Sequence, residues 1–398
     1  MCSAVSILAA RRYRCQAMGI DLNGASESCR AAVDHKTPLV AIVCSRVGHD
    51  PHRHRSLSQQ IAASLEQARR DAATVLVADG TAIDPWLTHA AAVFQVPVIR
   101  VESSTGRDRQ VIAIADRVDA AYVRQGGKVT ELLRMRSRLQ SGIVRVAIDG
   151  VANGSQRRDR QAVWELLDAG AVGRYLPAEE VGESERGDEA PLGVDRPSIA
   201  WSEFLVHCTR AAAGPWPGQT WAKYRDDLLF ANPASAARDA IDALCRIVRG
   251  QRLVAGAVTS ERTEPVVCFS AVELPRLLAG RAYRSHLHRW DYEPYGIAIK
   301  RDAASRLGVQ PVIYGDRELR NELDLDQRFR FQSVGTTYDW TSEQEWRCGA
   351  DMDLSRLGKS EVFIFVPDEN SARRVGSCNP AMWPIVRLDQ FPAAEKPV

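Results

Sequence analysis

The sequence predicts an α/β protein in which a Rossmann-like parallel-sheet domain is followed by an α+β domain. Three observations carry this. Apolar runs and helical periods alternate from Leu39 onward, apolar periodicity disappears between Glu179 and Ser198, and beyond that point short strands follow one another with few helices between them. The expected organisation is a loosely packed leader over 1–36, a sheet domain over 37–178, a linker over 179–198 and an α+β domain over 199–398.

Residues 1–36 have no clear period. The apolar patch Val5 to Ala10 is followed, rather than preceded, by Arg11, Arg12 and Arg14, the wrong order for a secretory signal, and Met18 offers a later start. Leu39 to Val43 is a buried strand bounded by polar turn residues. Ser56 to Arg70 repeats Leu57, Ile61, Leu65 and Ala68 at helical spacing, and Thr74 to Ala78 is a second strand, so the pair is parallel. The unit then repeats. Asp84 and Pro85 open a helix as N-cap and first helical position, Leu87, Ala91 and Phe94 mark its face, and Pro97 to Val101 is a third strand. Ala120 to Val123 is a fourth strand. Gly126-Gly127 turns the chain into a helix running to about Leu139, with Val129, Leu132 and Leu133 facing in. Ile143 to Ile148 and a helix from about Arg158 to Ala169 complete the domain.

In the linker stretch, glycine, proline and the acids Glu179, Glu180, Glu183, Glu185, Asp188 and Glu189 replace the apolar pattern. Past it, Glu203 to Thr209 is a short strand. A helix starts at Asn232-Pro233, carries Ala237, Ile241, Leu244 and Val248 on one face, and stops at Gly250. Further strands are expected at 266–270, 296–300, 311–314, 361–366 and 384–388.

Composition sets the outer bounds. The chain has 398 residues, 45% hydrophobic and 26% charged, enough for two or three cored domains. A net charge of +2 gives no bulk attraction to nucleic acid or membrane. No run approaches the roughly 20 apolar residues that span a bilayer. The nine cysteines form no C-x-x-C pair and read as reduced, buried thiols of a cytoplasmic protein. No metal is expected. His49, His52 and His54 lie in a loop with Arg53 and Arg55 and only Asp50 as an acidic neighbour, which suits a basic loop over an anion better than a metal site.

Open parallel sheets bind ligands beyond the carboxyl ends of their strands, where helix N-termini point. Three loops meet there: Cys44-Ser45-Arg46, Asp79 to Asp84, and Gly126-Gly127-Lys128. Ser45 brings a hydroxyl and Arg46 a planar fork suited to phosphate, while Gly126 and Gly127 admit a ligand close to the backbone. The structural alternative pairs Arg46 with Asp79 or Asp84 and makes the two glycines an ordinary turn.

Val43 to Arg46, Asp79-Gly80-Thr81-Ala82-Ile83-Asp84 and Gly126-Gly127-Lys128-Val129-Thr130-Glu131 together resemble the SLOG superfamily. This Rossmann-like group includes the LOG phosphoribohydrolases, the DprA proteins and nucleotide-sensing domains of bacterial defence systems. The resemblance covers about residues 39–140 and implies a nucleotide-derived ligand held by Ser45, Arg46, Asp79, Thr81, Asp84, Gly126, Gly127, Lys128, Thr130 and Glu131. Two departures bear on hydrolysis more than on binding: Cys44 stands where glycine is usual, and the second glycine of the hydrolase-type G-G-x-G-T motif is missing.

In the second domain, Trp340 to Arg347 read as a strand places Glu343, Glu345 and Arg347 on one face. Read as a helix, it separates the two glutamates, and Glu345 pairing with Arg347 is the structural alternative. Val267 to Ser270, Arg289-Trp290, Tyr295 to Ile299 and the Trp340 to Arg347 segment resemble proteins related to the AbiGi abortive-infection family, over roughly 203–370. The order of a His-x-Thr strand, an aromatic-Ser strand end and a late Glu-x-Glu is also similar to ADP-ribosyltransferases. That similarity implies NAD as cosubstrate, His207 and Thr209 at its ribose, Ser270 at the nicotinamide pocket, and Glu343 and Glu345 as the carboxylates, with Glu345 catalytic.

The resemblances thus imply an anti-phage defence protein whose first domain senses a nucleotide-derived ligand and controls an effector acting on a protein or nucleic-acid target. The alternatives are a non-catalytic nucleotide-binding protein, or a nucleotide N-glycosidase using Glu131 as acid or base. A homo-oligomer stays open.

Overall fold

In the computed structural model the chain forms two compact units, Met1–Glu185 with Gly214–Ala236, and Arg186–Ala213 with Ala237–Val398. The structure describes residues 4–48, 50–102, 106–148, 157–175, 199–212, 214–230, 236–256, 264–284, 289–334 and 339–390. The expected linker over 179–198 lies outside the described residues.

The first unit is built on a parallel six-stranded sheet: β1 (Leu39–Cys44), β2 (Thr74–Ala78), β3 (Val98–Val101), β4 (Arg117–Tyr122), β5 (Ile143–Ile148) and β6 (Val172–Tyr175). The strands lie in the order β3-β2-β1-β4-β5-β6, so the direction of winding reverses between β1 and β4. The central strands β1 and β2 are buried along almost their whole length, which is why they read as continuous apolar runs. Helices α3 (Pro51–Arg70), α4 (Asp84–Phe94) and α8 (Trp221–Leu229) cover one face. On the other lie α1 (Ala4–Ala17), α2 (Glu27–Val33), α5 (Arg107–Ile114), α6 (Lys128–Arg138) and α7 (Arg157–Asp168). Helix α8 comes from the stretch 214–236, which belongs to the first unit although it follows Phe204–Cys208, a strand of the second unit, in the chain.

The expectation of a loosely packed leader is corrected. Helices α1 and α2 and the turn after α1 put Cys15, Met18, Cys29 and Val33 into the core, and Arg11 and Arg14 are almost completely buried. Their guanidiniums meet Asp116 at 2.6 and 2.8 Å, and Arg14 also donates to the carbonyls of Ala113 and Ile114. The inward face of α1 is charged rather than apolar, so no hydrophobic period marks it. Asp84 is likewise the first residue of α4 rather than its N-cap, which is Ile83.

The second unit carries a seven-stranded mixed sheet: β7 (Phe204–Cys208), β8 (Val267–Ser270), β9 (Gly296–Lys300), β10 (Gln310–Pro311), β11 (Glu345–Cys348), β12 (Val362–Val366) and β13 (Ile385–Arg387). Its order is β10-β11-β8-β7-β9-β12-β13, antiparallel throughout except for β12 with β13. Helix α9 (Ala240–Gly250) begins where the Asp242 carboxylate accepts from the Asp239 N–H and ends at Gln251 in the left-handed region. The expected start at Asn232-Pro233 lies outside the described residues, but Ala237 and Arg238 are not helical, so this helix starts later than expected and Ala237 is not on its face. Trp340 to Arg347, open to a strand or a helical reading, is neither throughout: Trp340–Glu343 is a 3-10 turn, Gln344 is left-handed at φ +44°, and a strand begins at Glu345.

Candidate functional site

The carboxyl ends of β1 and β4 meet where the winding reverses, the place where open α/β sheets hold ligands. The Ser45 N–H donates to the Tyr122 carbonyl at 2.8 Å, and the Ser45 hydroxyl accepts from the Arg124 N–H at 3.2 Å. The two loops are thereby tied together. The Arg124 carbonyl in turn accepts from the Gly127 N–H at 3.1 Å and from the Thr130 hydroxyl at 2.7 Å, which folds 124–130 into a compact turn. Gly126 has φ +67°, where a side chain is strained, and a Cβ on Gly127 would stand 3.1 Å from the Arg124 carbonyl oxygen. Gly127 is the N-cap of α6 and has no side chain to cap it. The first-turn amides of Lys128, Val129 and Thr130 are therefore donors with no side-chain acceptor from the N-cap.

Arg46, next in the chain to Ser45, is exposed and has no hydrogen-bond or ion-pair partner among the described residues. Lys128 and Glu131 are exposed on the first turn of α6. The first turn of α5 brings Arg107 and Asp108 to the same edge. Burial raises the Asp108 carboxyl, against the pull of Lys128 and Arg107, and burial together with Asp108 pushes the Cys44 thiol up to about 12. Cys44 is thus a neutral wall of the site. Sequence reasoning missed Arg107 and Asp108, because Arg107-Asp108-Arg109 looks like an exposed loop.

Asp79, Thr81 and Asp84 reach the same edge of the sheet but close on themselves. Arg100, not Arg46, pairs with Asp79 at 2.9 Å and Asp84 at 3.1 Å. Asp84 also accepts from the Gly80 N–H and the Thr88 hydroxyl, and the Thr81 hydroxyl donates to the Ala78 carbonyl. Burial pushes the Asp84 carboxyl up, but these donors and Arg100 more than reverse that and leave it below its ordinary range. Arg107 lies across Gly80, where a Cβ would meet its guanidinium at 2.7 Å.

The histidines take separate roles. His54 is buried on α3; its Nε2 donates to the Gly48 carbonyl at 2.9 Å, so in the neutral ring Nδ1 accepts from the Tyr224 hydroxyl at 2.8 Å. His49 lies outside the described residues. Among the described residues no three His, Cys, Asp or Glu side chains converge as a metal site, and no helix is long and apolar enough to cross a membrane.

In the second unit, register places Ser270 opposite both Val206 on β7 and Glu345 on β11. The His207 Nδ1–H donates to the Cys268 carbonyl at 2.8 Å, and burial holds its pKa below the ordinary value although that carbonyl opposes the shift. The Thr209 hydroxyl is shared between the carbonyls of Ala240 and Tyr295, and the Ser270 hydroxyl donates to the Glu343 carbonyl at 2.7 Å. Glu345 takes the buried guanidinium of Arg347, as the structural alternative expects. Glu343 is not on the strand face with it. Burial, and then the negative charge of Glu345, raise the Glu343 carboxyl, while Arg210 opposes.

No family model matches the chain, and none of the curated proteins does. Among solved structures it is similar to the X-ray structure of DNA processing protein A (DprA) from Streptococcus pneumoniae, at 13% identity and a TM-score of 0.25. The similarity covers 35% of this chain and 59% of that one.

Proposed function

We propose that the first unit binds a nucleotide-derived ligand, with a phosphate seated on the first turn of α6. The observation that carries this is the N-terminus of α6, which has no side-chain cap and stands at the winding reversal beside Ser45 and the exposed Arg46. A helix N-terminus offers N–H donors and a positive end to an anion, and an arginine fork adds a bidentate contact. The SLOG resemblance at the same residues supports the reading. Calorimetry with adenosine 5′-monophosphate tests it: Arg46→Ala should weaken binding by roughly 1.5–3 kcal/mol, the range for a hydrogen bond to a charged group. Unchanged affinity rules out the role given to Arg46. Chromatography of the incubated nucleotide for free base separates binding from N-glycosidase action through Glu131.

On the same resemblance the ligand is a signal, the second unit is the effector it controls, and the setting is anti-phage defence. Plaque counts on cells expressing the chain, unchanged by Arg46→Ala, contradict that setting. A second reading, NAD-dependent ADP-ribosyl transfer by the second unit, has one observation in its favour: Glu343 is a carboxyl with a raised pKa beside a second carboxylate, Glu345, the kind of group that serves proton transfer. Absence of nicotinamide release from NAD by the full chain ends it.

A further inference from the structure

A cavity of about 270 Å³ opens beside the phosphate cradle, over the carboxyl ends of β4, β5 and β6, with Arg53, Tyr122, Ile148, Arg160, Trp164 and Tyr175 in its lining. Its position follows from the fold. Tyr122 is the last residue of β4, and its carbonyl accepts the Ser45 N–H of the cradle; Arg124 and the turn into α6 follow within two residues. Tyr175 ends β6, while Arg160 and Trp164 stand one helical turn apart on α7.

Trp164 is 61% exposed and Tyr175 72% exposed, although α7 buries Ala162 and Leu166 into the core and could as readily turn a polar residue outward. The Arg53 guanidinium lies 4.9 Å from the Tyr122 ring centroid. Among the described residues the lining holds two arginines and no carboxylate; Arg53 pairs with Asp50 at 3.5 Å, and Arg160 is exposed, so the cavity offers flat π surfaces with positive charge at its rim. A planar, electron-rich heteroaromatic ring with an anionic tail matches both, by stacking and by charge.

Resting on the proposed phosphate cradle, we infer that this cavity is the base subsite of the same ligand, with Trp164 and Tyr175 as stacking surfaces for a nucleobase whose phosphate sits on α6. The ligand class is then a nucleoside phosphate rather than a sugar phosphate.

Two probes separate the two parts of the site in the full chain: ribose 5-phosphate, which engages the cradle alone, and adenosine 5′-monophosphate, which engages both. Trp164→Ala should weaken adenosine 5′-monophosphate binding by roughly 5- to 100-fold, the scale of one base–aromatic stack, and leave ribose 5-phosphate binding within about twofold. Trp164→Phe, which keeps a ring, should retain most of the lost affinity. If Trp164→Ala leaves adenosine 5′-monophosphate binding unchanged while ribose 5-phosphate still binds, the base subsite is wrong and the cradle stands. Equal losses for both probes also overturn the subsite. Failure of both probes to bind the unaltered chain overturns the cradle, and the subsite with it.

Discussion

Arg347 holds Glu345 with two guanidinium nitrogens, Nε at 3.0 Å and Nη2 at 2.7 Å from the two carboxylate oxygens. The arginine is 1% exposed and gives its other donors to the Phe331 carbonyl and the Gln332 side chain, both at 2.6 Å, and to the Phe329 carbonyl at 3.4 Å. A buried cation so placed depends on its carboxylate. Glu345→Ala should destabilise the second unit by roughly 3–5 kcal/mol, read from urea unfolding, because Arg347 is left uncompensated. A variant with wild-type stability and no NAD turnover would instead favour a catalytic Glu345.

Asp116 makes a second prediction. Burial raises its carboxyl, but hydrogen bonds from Arg11, the Leu39 N–H and Arg14, with the charge of Arg11, outweigh burial and hold it below its ordinary range. The folded pKa is depressed, so this contribution is complete above the unfolded value of about 3.8 and is lost as pH falls through the folded one. Asp116→Ala should cost about 3–5 kcal/mol at neutral pH and flatten the acid limb of the stability curve. Equal stability of variant and parent at pH 7 contradicts a central role for the Arg11–Asp116–Arg14 cluster.

His207 behaves in the same sense for a different reason. Burial lowers its folded pKa, so the folded ring stays neutral while the unfolded ring takes a proton at about 6.5. Its contribution is therefore complete above pH 6.5 and declines as pH falls toward the folded value, with a slope of at most about 1.4 kcal/mol per pH unit for one proton. Urea midpoints between pH 7.5 and 5 should show that slope, and His207→Gln should reduce it. An unaltered slope in the variant assigns the pH dependence to other groups.

The strands whose both faces meet apolar helices were legible in the sequence: β1 and β2 are apolar runs because nothing polar fits there. Strand β4 begins at Arg117, where the apolar pattern predicts Ala120, because Arg117 and Asp119 pair with each other at 3.1 Å inside the sheet. A charged pair leaves no apolar signal. Helix α1 was hidden for the same reason, since Arg11 and Arg14 occupy its core-facing positions. At the site, the loops at the ends of β1 and β4 follow from strand order, and Ser45, Gly126, Gly127 and Thr130 do share one hydrogen-bonded turn. The destination of Asp79 and Asp84 did not follow, because their partner Arg100 lies on β3 and only the sheet brings it near. In Trp340 to Arg347, a single left-handed residue, Gln344, separates the two glutamates that alternation would have aligned.

The most direct test of the phosphate cradle is amide chemical shift in the ¹⁵N-labelled 398-residue chain titrated with adenosine 5′-monophosphate. A phosphate on the first turn of α6 moves the Lys128, Val129 and Thr130 amides by accepting their hydrogen bonds, and Arg46→Ala shifts the titration to higher ligand concentration. Saturable binding that leaves those three amides unmoved contradicts the proposal.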